Sequence, residues 1–139
     1  PELRPVVPEA LDTVERVMAA DFWQRALAAE ERHVEVPFAA RIDGAGGAPP
    51  TILHGVIDLA FRGPEGWELI DYKTDQEDIA RLADRYAPQV RAYAEHWARL
   101  LGRPPAFAGL YAVRNGELST GAQLLGAPGP GCTSEAPPP

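Results

Sequence analysis

The sequence predicts an α/β fold in which helices flank a β-sheet of mixed strand direction. Two stretches carry apolar residues at steps of three and four, the helical period, and shorter stretches between and after them are rich in β-branched and aromatic residues. The second helical stretch separates the third and fourth strands, where a helix is typical of a parallel crossover. The expected order of elements is therefore α-β-β-β-α-β.

The first helical region is predicted over residues 8–29, with Asp21 as the cap of a second, shorter helix inside it. A stripe of Met, aromatic and aliphatic side chains at helical spacing usually packs against a core. We therefore expect this stripe to be buried. Its members are Leu11, Val14, Val17, Met18, Phe22, Ala26 and Ala29.

A strand is predicted over residues 34–42, followed by a Gly/Pro-rich loop over residues 43–50. Residues 51–62 and 67–74 then flank the Gly63-Pro64-Glu65-Gly66 turn, which is the pattern of a β-hairpin.

The register of this hairpin brings charged residues together. If Arg62 lies opposite Trp67, then Asp58 faces Asp71 and Val56 faces Lys73. Alternation along the strand also places Asp71 and Lys73 on one face, with the residue between them pointing away.

Facing side chains on paired strands are roughly 5 Å apart at Cβ, where like charges destabilise a sheet. A divalent cation would offset that repulsion, since Mg²⁺ is typically held by one or two carboxylates with waters and phosphate oxygens. In the absence of a metal, one carboxyl should keep its proton to a higher pH. The hairpin therefore has the layout of a metal-dependent phosphodiesterase site.

After the hairpin, residues 79–101 have helical spacing, with Gly102 placed to end the helix and Pro88 expected to split it. A strand is predicted over residues 106–114, then a tight turn and a short strand from Glu117. We expect one domain over residues 1–125 and a disordered Gly/Pro-rich tail over residues 126–139.

Composition limits the classes of protein that are possible. At 139 residues with 45% hydrophobic residues the chain can bury a core, and it contains no apolar run of the roughly 20 residues that span a membrane. The net charge of -7 argues against a free-standing nucleic-acid binder, and the single cysteine, Cys132, fits a reducing, cytoplasmic setting. Because the chain begins at Pro1 without an initiator Met, we expect it to be the carboxyl-terminal piece of a larger protein.

Four segments in this order resemble the PD-(D/E)xK nuclease superfamily, with its restriction-endonuclease-like core. Within it, the likeness is to the RecB and AddA type nuclease domain of UvrD/Rep-like, superfamily-one DNA helicases. The segments are Glu35-Val36-Pro37-Phe38, Gly55-Val56-Ile57-Asp58, Asp71-Tyr72-Lys73-Thr74-Asp75 and Tyr86-Ala87-Pro88-Gln89-Val90-Arg91-Ala92-Tyr93-Ala94.

The resemblance implies a metal-dependent deoxyribonuclease that acts in double-strand break repair and recombination. It makes Asp58, Asp71 and the backbone carbonyl of Tyr72 metal ligands, with Lys73 orienting or activating the attacking water. Glu35 would assist the metal shell, and a pair on the second helix, Gln89 and Tyr93, would support the site and the DNA.

The resemblance further implies Mg²⁺ as cofactor, with Mn²⁺ as a substitute. The implied partners are DNA, the helicase domains of the same parent chain and a second subunit, without a membrane. An iron–sulfur cluster needs four cysteines, so none is expected. Relatives also carry an upstream histidine ligand that His33, His54 and His96 do not match. It lies before Pro1 in the parent or has been lost, so we expect weak metal binding by this chain.

Two other interpretations stay open at this point. The first is a catalytically silent nuclease-like module that guides DNA or contacts a partner protein, which the missing histidine and the acidic charge favour. The second is an unrelated α/β binding domain with an acidic hairpin at its surface. It predicts that Asp58 and Asp71 are exposed and apart, with Lys73 paired elsewhere.

Overall fold

The computed structural model describes residues 6–119, without the side chains of Val6, Ile42 and Ala45. Five strands form one mixed sheet in the order β1-β2-β3-β4-β5. The predicted tail, residues 126–139, lies outside the described residues, as do both ends of the predicted domain over residues 1–125. The predicted α/β class is confirmed, with one helix and one short strand more than the basic order.

Three helices and five strands make up this fold. The helices are α1 (Val6–Ala19), α2 (Asp21–Ala28) and α3 (Ile79–Leu101). The strands are β1 (Arg32–Ile42), β2 (Thr51–Gly63), β3 (Gly66–Lys73), β4 (Phe107–Ala112) and β5 (Glu117–Leu118), and a short 3-10 turn lies at Ala45–Gly47.

The strand pairing follows the prediction. β1, β2 and β3 are consecutive antiparallel neighbours, and Arg62 lies opposite Trp67 as the hairpin register requires. β3 and β4 run parallel, joined by α3, and β5 returns antiparallel to β4. The carboxyl end of β3, which carries Asp71 and Lys73, therefore lies inside the sheet between β2 and β4.

Each face of the sheet carries its own apolar core. The α3 face is the larger and packs α3 onto all four long strands; its buried residues include Phe38, Ile57, Leu69, Leu82, Val90, Tyr93, Trp97 and Leu110. The α1/α2 face is smaller, and its buried residues are Phe22, Ala26, Leu59, Phe61, Ile70, Tyr111 and Val113.

Helix α3 is continuous, and the prediction that Pro88 splits it is wrong. Pro88 lies on the exposed side of the helix, where the carbonyl it leaves unpaired can reach water. Buried residues from Leu82 to Trp97 form one stripe on both sides of the proline. Packing of that whole stripe on the sheet outweighs the loss of one helical hydrogen bond. The predicted stop at Gly102 is confirmed, since it adopts the left-handed conformation with φ 73°.

The first helical region departs from the prediction in two ways. Two helices form, but Asp21 is the first residue of α2 rather than its cap, because Ala20 holds the cap position without a side-chain hydrogen bond. The apolar stripe also divides. Phe22 and Ala26 of α2 are buried, whereas Leu11, Val14 and Met18 of α1 are each more than half exposed. The expectation that this whole stripe packs into the core is therefore wrong for α1.

Polar contacts hold these two helices to the sheet. Arg25 of α2 makes two hydrogen bonds to the carboxylate of Glu68 on β3, with N–O distances of 3.1 and 2.7 Å. Arg16 of α1 donates to the backbone carbonyls of Val113 and Arg114 after β4. Helix α1 is thus attached by charged and polar groups, while its apolar stripe faces outward.

Candidate active site

Asp71 and Lys73 lie side by side at the end of β3, facing α3. The Nζ atom of Lys73 is 2.7 Å from Oδ2 of Asp71, and both side chains are largely shielded from solvent. The contact is close but poorly directed, because Oδ2 has no hydrogen-bond donor in good geometry among the described residues. A buried carboxylate oxygen is therefore available for a further positive ligand.

Burial dominates the electrostatics of Asp71, whose residue is only 4% exposed. It raises the pKa of the Asp71 carboxyl to about 6; the ammonium of Lys73 lowers this pKa, and the carboxylate of Asp58 raises it further. The expectation that one of two neighbouring carboxyls keeps its proton to a higher pH agrees with this direction.

Asp58 approaches this pair from β2. The paired register of β2 and β3 ends at Leu59 and Ile70, so the predicted facing pairs of Asp58 with Asp71 and of Val56 with Lys73 lie just beyond its last pair. In place of a ladder bond, the backbone N–H of Tyr72 donates to Oδ2 of Asp58 over 2.7 Å. This contact ties Asp58 to the strand that carries Asp71.

Strand β1 changes face at Glu35, which has a positive φ of 51°. Val34 borders a groove on the α1/α2 face, whereas Val36 packs on the α3 face, although residues two apart on a regular strand share a face. β2 makes the same switch between Ile57 and Leu59. Positive φ in a residue other than glycine costs on the order of 1 kcal/mol, so the surrounding sheet must impose this conformation.

Both acidic residues of the two outer strands stand at that switch. Glu35 and Asp58 occupy the gap between the paired positions on either side of them in β1 and β2. They line one groove on the α1/α2 face, while Asp71 faces α3. The structure thus brings Asp58 to Asp71 through the backbone of Tyr72 and leaves Glu35 exposed at the groove.

The groove beside these acids is open and largely apolar, with a volume of about 650 Å³. Its walls come from α1, α2, the middle strands and the residue after β4. They consist of Thr13, Val14, Val17, Met18, Trp23, Leu27, Val34, Glu35, Asp58, Tyr72 and Val113.

Two residues of α3 extend the site from Lys73. Oε1 of Gln89 accepts a hydrogen bond from Nζ of Lys73 over 3.2 Å, and Nε2 of Gln89 donates to the hydroxyl of Tyr93 over 2.6 Å. Burial, followed by the charge of Asp71, raises the pKa of Tyr93 to about 12, so its hydroxyl stays protonated at neutral pH. Because Gln89 and Tyr93 are one helical turn apart, α3 presents them together.

Gly55 has a supporting role that the sequence reasoning missed. A Cβ atom there would lie 2.3 Å from the ring of Phe38 and 3.2 Å from that of Tyr93. These two rings meet edge to face with centroids 4.9 Å apart. The glycine of the Gly-Val-Ile-Asp segment therefore leaves room for the ring pair that positions Tyr93. A glycine inside a strand is a known signal of such close approach.

The histidines have contacts that do not involve the candidate site. His33 pairs with Glu31 and stacks on Trp67, and His96 packs against Phe38. Within residues 6–119, no group of three or more His, Cys, Asp or Glu side chains is arranged to hold a metal ion. The cation donors present here are the carboxylates of Asp58 and Asp71, and the orphaned Oδ2 of Asp71 fits a hard divalent cation.

The interpretation as an unrelated acidic hairpin is wrong on each of its predictions. Asp71 is buried rather than exposed, Asp58 reaches the neighbouring backbone, and Lys73 pairs with Asp71 itself. A sequence model of the PD-(D/E)XK nuclease superfamily matches residues 2–134. The chain belongs to the PD-(D/E)XK nuclease superfamily. The predicted superfamily is thereby confirmed.

Curated relatives of this PD-(D/E)XK domain are named as AddA-type components of an ATP-dependent helicase/nuclease. The protein of Geobacillus kaustophilus is 34% identical over 78% of this chain and 10% of its own length. That of Limosilactobacillus reuteri is 34% identical over 61% of this chain and 7% of its own, and one from Clostridium botulinum is 42% identical over 37% and 4%. The chain thus spans about a tenth or less of these relatives, which agrees with the predicted AddA type.

Lysine usage in this PD-(D/E)XK domain is a signal that could have singled out the site. Of its 13 basic residues, Lys73 is the only lysine and the other 12 are arginines. An ammonium is a compact point charge, whereas a guanidinium is a planar fork. Lysine is therefore kept at the one position where a compact cation lies between a carboxylate and an amide oxygen. Across the described residues, no helix is both long and apolar enough to cross a membrane.

Proposed function

We propose that this chain is the metal-dependent DNA nuclease domain of an ATP-dependent helicase–nuclease that processes double-strand breaks. The observation that carries the proposal is the buried Asp71–Lys73 pair with an orphaned carboxylate oxygen and Asp58 tied to the same strand. Its substrate would be DNA, and its partners the helicase domains of the parent chain and a second subunit. The single cysteine and the helicase/nuclease relatives support a cytoplasmic location.

The proposed reaction is hydrolysis of one phosphodiester bond. The oxygen of a water adds to phosphorus, one bridging P–O bond breaks, and the water's proton ends on the leaving oxygen or in solvent. Lys73 would orient the water and stabilise the negative charge that builds on the phosphate, in a site that is largely closed to solvent. Gln89 and Tyr93 would fix Lys73 and the neighbouring DNA.

We propose Asp58, Asp71 and the backbone carbonyl of Tyr72 as the ligands of Mg²⁺, with Mn²⁺ as a substitute. Bound there, the cation would supply Lewis acidity and lower the pKa of its water. Two carboxylates are enough for Mg²⁺, which keeps several waters and takes further oxygens from the substrate phosphate. Glu35, exposed at the neighbouring groove, would assist through a water rather than bind directly.

The silent-module alternative has one observation in its favour. No three ligating side chains converge within residues 6–119, so a cation would be held by few protein groups. Retention of the Asp71–Lys73 pair argues for activity, because this buried charge has no evident structural need.

Cleavage of a labelled single-stranded oligonucleotide in Mg²⁺ or Mn²⁺ tests the proposal. We expect the wild-type chain to cleave, and Lys73→Ala to lower the rate by about 100-fold or more, since it removes the charge that faces the phosphate. The matched control is Arg99→Ala, which removes an exposed cation from the same face-forming helix and should keep the wild-type rate.

Equal cleavage by wild type and Lys73→Ala would contradict the proposal, because the activity would then not come from this site. Binding of Mn²⁺ without any cleavage by the wild-type chain would favour the silent module.

A further inference from the structure

We infer that Tyr86 is a positioning residue for Lys73, whose ammonium it holds against the face of its ring. Tyr86 lies on α3, and the Nζ atom of Lys73 is 4.1 Å from its ring centroid. The inference rests on the proposed nuclease function for its catalytic consequence. The contact itself is independent of that function.

The ring completes the surroundings of the ammonium. A lysine ammonium has three N–H donors and no acceptor, and it is strongly hydrated in water. Here it meets Asp71 at 2.7 Å, Gln89 at 3.2 Å and the ring of Tyr86, and its side chain is only 15% exposed. The negative face of an aromatic ring attracts a cation within about 6 Å of its centroid. Tyr86 therefore replaces water that burial has removed.

A flexible side chain needs such a contact more than a rigid one does. Lysine has four rotatable bonds, and ordering it costs up to about 2 kcal/mol of rotamer entropy. Asp71 alone would hold it loosely, because their pair is poorly directed for a hydrogen bond. The ring of Tyr86 is itself fixed, being partly buried against the α3-face core.

Tyr86 also lies near a second cation, which must be separated in the test. The guanidinium carbon of Arg85 is 6.0 Å from the ring centroid, at the outer limit of such contacts. Arg85 is exposed and pairs with Asp75 and Glu77. The shorter distance and the burial of Lys73 indicate that the ring acts chiefly on Lys73.

The single lysine makes the inference directly measurable. With ¹³C-labelled lysine in the full 139-residue chain, only one side-chain Cε signal arises. We expect the wild-type signal to be shifted upfield by the ring and to report a rigid side chain. Tyr86→Phe keeps the ring and should keep both features. Tyr86→Leu should lose the shift and make the side chain mobile, and Arg85→Gln should leave both unchanged.

Turnover of the oligonucleotide gives the functional reading. We expect Tyr86→Leu to lower kcat by about tenfold, the size of one cation–π contact, with KM for DNA within about twofold and Tyr86→Phe near wild type. In a Lys73→Ala background, Tyr86→Leu should have no further effect on the remaining rate. Thermal unfolding of each variant shows whether it is folded.

Three outcomes would overturn the inference. They are a lysine in folded Tyr86→Leu that is as rigid as in wild type, a loss in Tyr86→Phe as large as in Tyr86→Leu, and a Tyr86→Leu effect that persists without Lys73. If no variant cleaves DNA, the nuclease proposal fails, whereas the rigidity of Lys73 still decides the role of Tyr86.

Discussion

The two faces of the sheet carry helices of similar amphipathic pattern but use them differently. On the α3 face, the apolar stripe of α3 is fully covered, and Leu82 is 0% exposed. On the α1/α2 face, the stripe of α1 points outward, and Leu11 is 57% exposed. Hydrophobic periodicity therefore predicts that a helix forms, but it does not say which surface its apolar side meets.

The candidate site follows the same division. Asp71, Lys73, Gln89 and Tyr93 lie on the closed α3 face, where burial strengthens their electrostatic interactions. Glu35 lies on the open α1/α2 face, in the apolar groove, and Asp58 connects the two sides through the backbone of Tyr72. The charged machinery is rigidly packed on one face and accessible from the other.

The largest expected difference between the faces is in stability. Leu82→Ala should lower the free energy of unfolding by about 2–5 kcal/mol, because it leaves a cavity in the closed core. Leu11→Ala makes the same change on the open face and should stay within about 0.5 kcal/mol of wild type. Urea unfolding of the two variants measures the contrast. Similar losses would show that the stripe of α1 is covered in solution.

A smaller effect should appear in the pH dependence of stability, in metal-free protein. Asp71 has a pKa of about 6 when folded against 3.8 unfolded. The folded state thus keeps a proton that the unfolded chain has released. This stabilising contribution is fully present below about pH 3.8 and is lost as the pH rises through 6, with a size on the order of 1 kcal/mol.

Urea unfolding in a chelator, from about pH 4 to about pH 7, checks this dependence. Asp71→Asn should flatten that part of the profile, because asparagine has no proton to lose. Asp84→Asn, an exposed change on α3, should keep the wild-type slope. An unchanged slope in Asp71→Asn would show that another group causes it.

The smallest effect concerns the switch of face on β1. Glu35→Gly should raise the free energy of unfolding by about 0.5–1 kcal/mol, since glycine adopts a φ of 51° without strain. Ala39→Gly, at an exposed position of the same strand, should lower it by a similar amount. Chemical unfolding separates the two signs. Destabilisation by both variants would argue against a strained Glu35.

Local chemistry allowed much of the fold to be predicted. The turn residues Gly63 to Gly66 set the hairpin register, and Gly102 ended α3 where expected. The failures at Pro88 and on α1 share one cause. Whether a helix continues past a proline, or buries its stripe, depends on the surface it packs against, which no local pattern contains.

The candidate site was predicted in its residues more fully than in its geometry. Strand alternation placed Asp71 and Lys73 together, and helical spacing placed Gln89 beside Tyr93. Alternation could not place Glu35 and Asp58, because the face switch at Glu35 interrupts the period of two. The contact of Tyr86 with Lys73 depends on how α3 lies across the sheet, so it too required the structure.

The most direct test of the metal site is calorimetric titration of Mn²⁺ into the wild-type chain beside Asp71→Ala, with Asp84→Ala as the exposed control on α3. We expect weak binding by the wild type and by Asp84→Ala, and none by Asp71→Ala. Equal binding by all three folded proteins would contradict a metal site at Asp71.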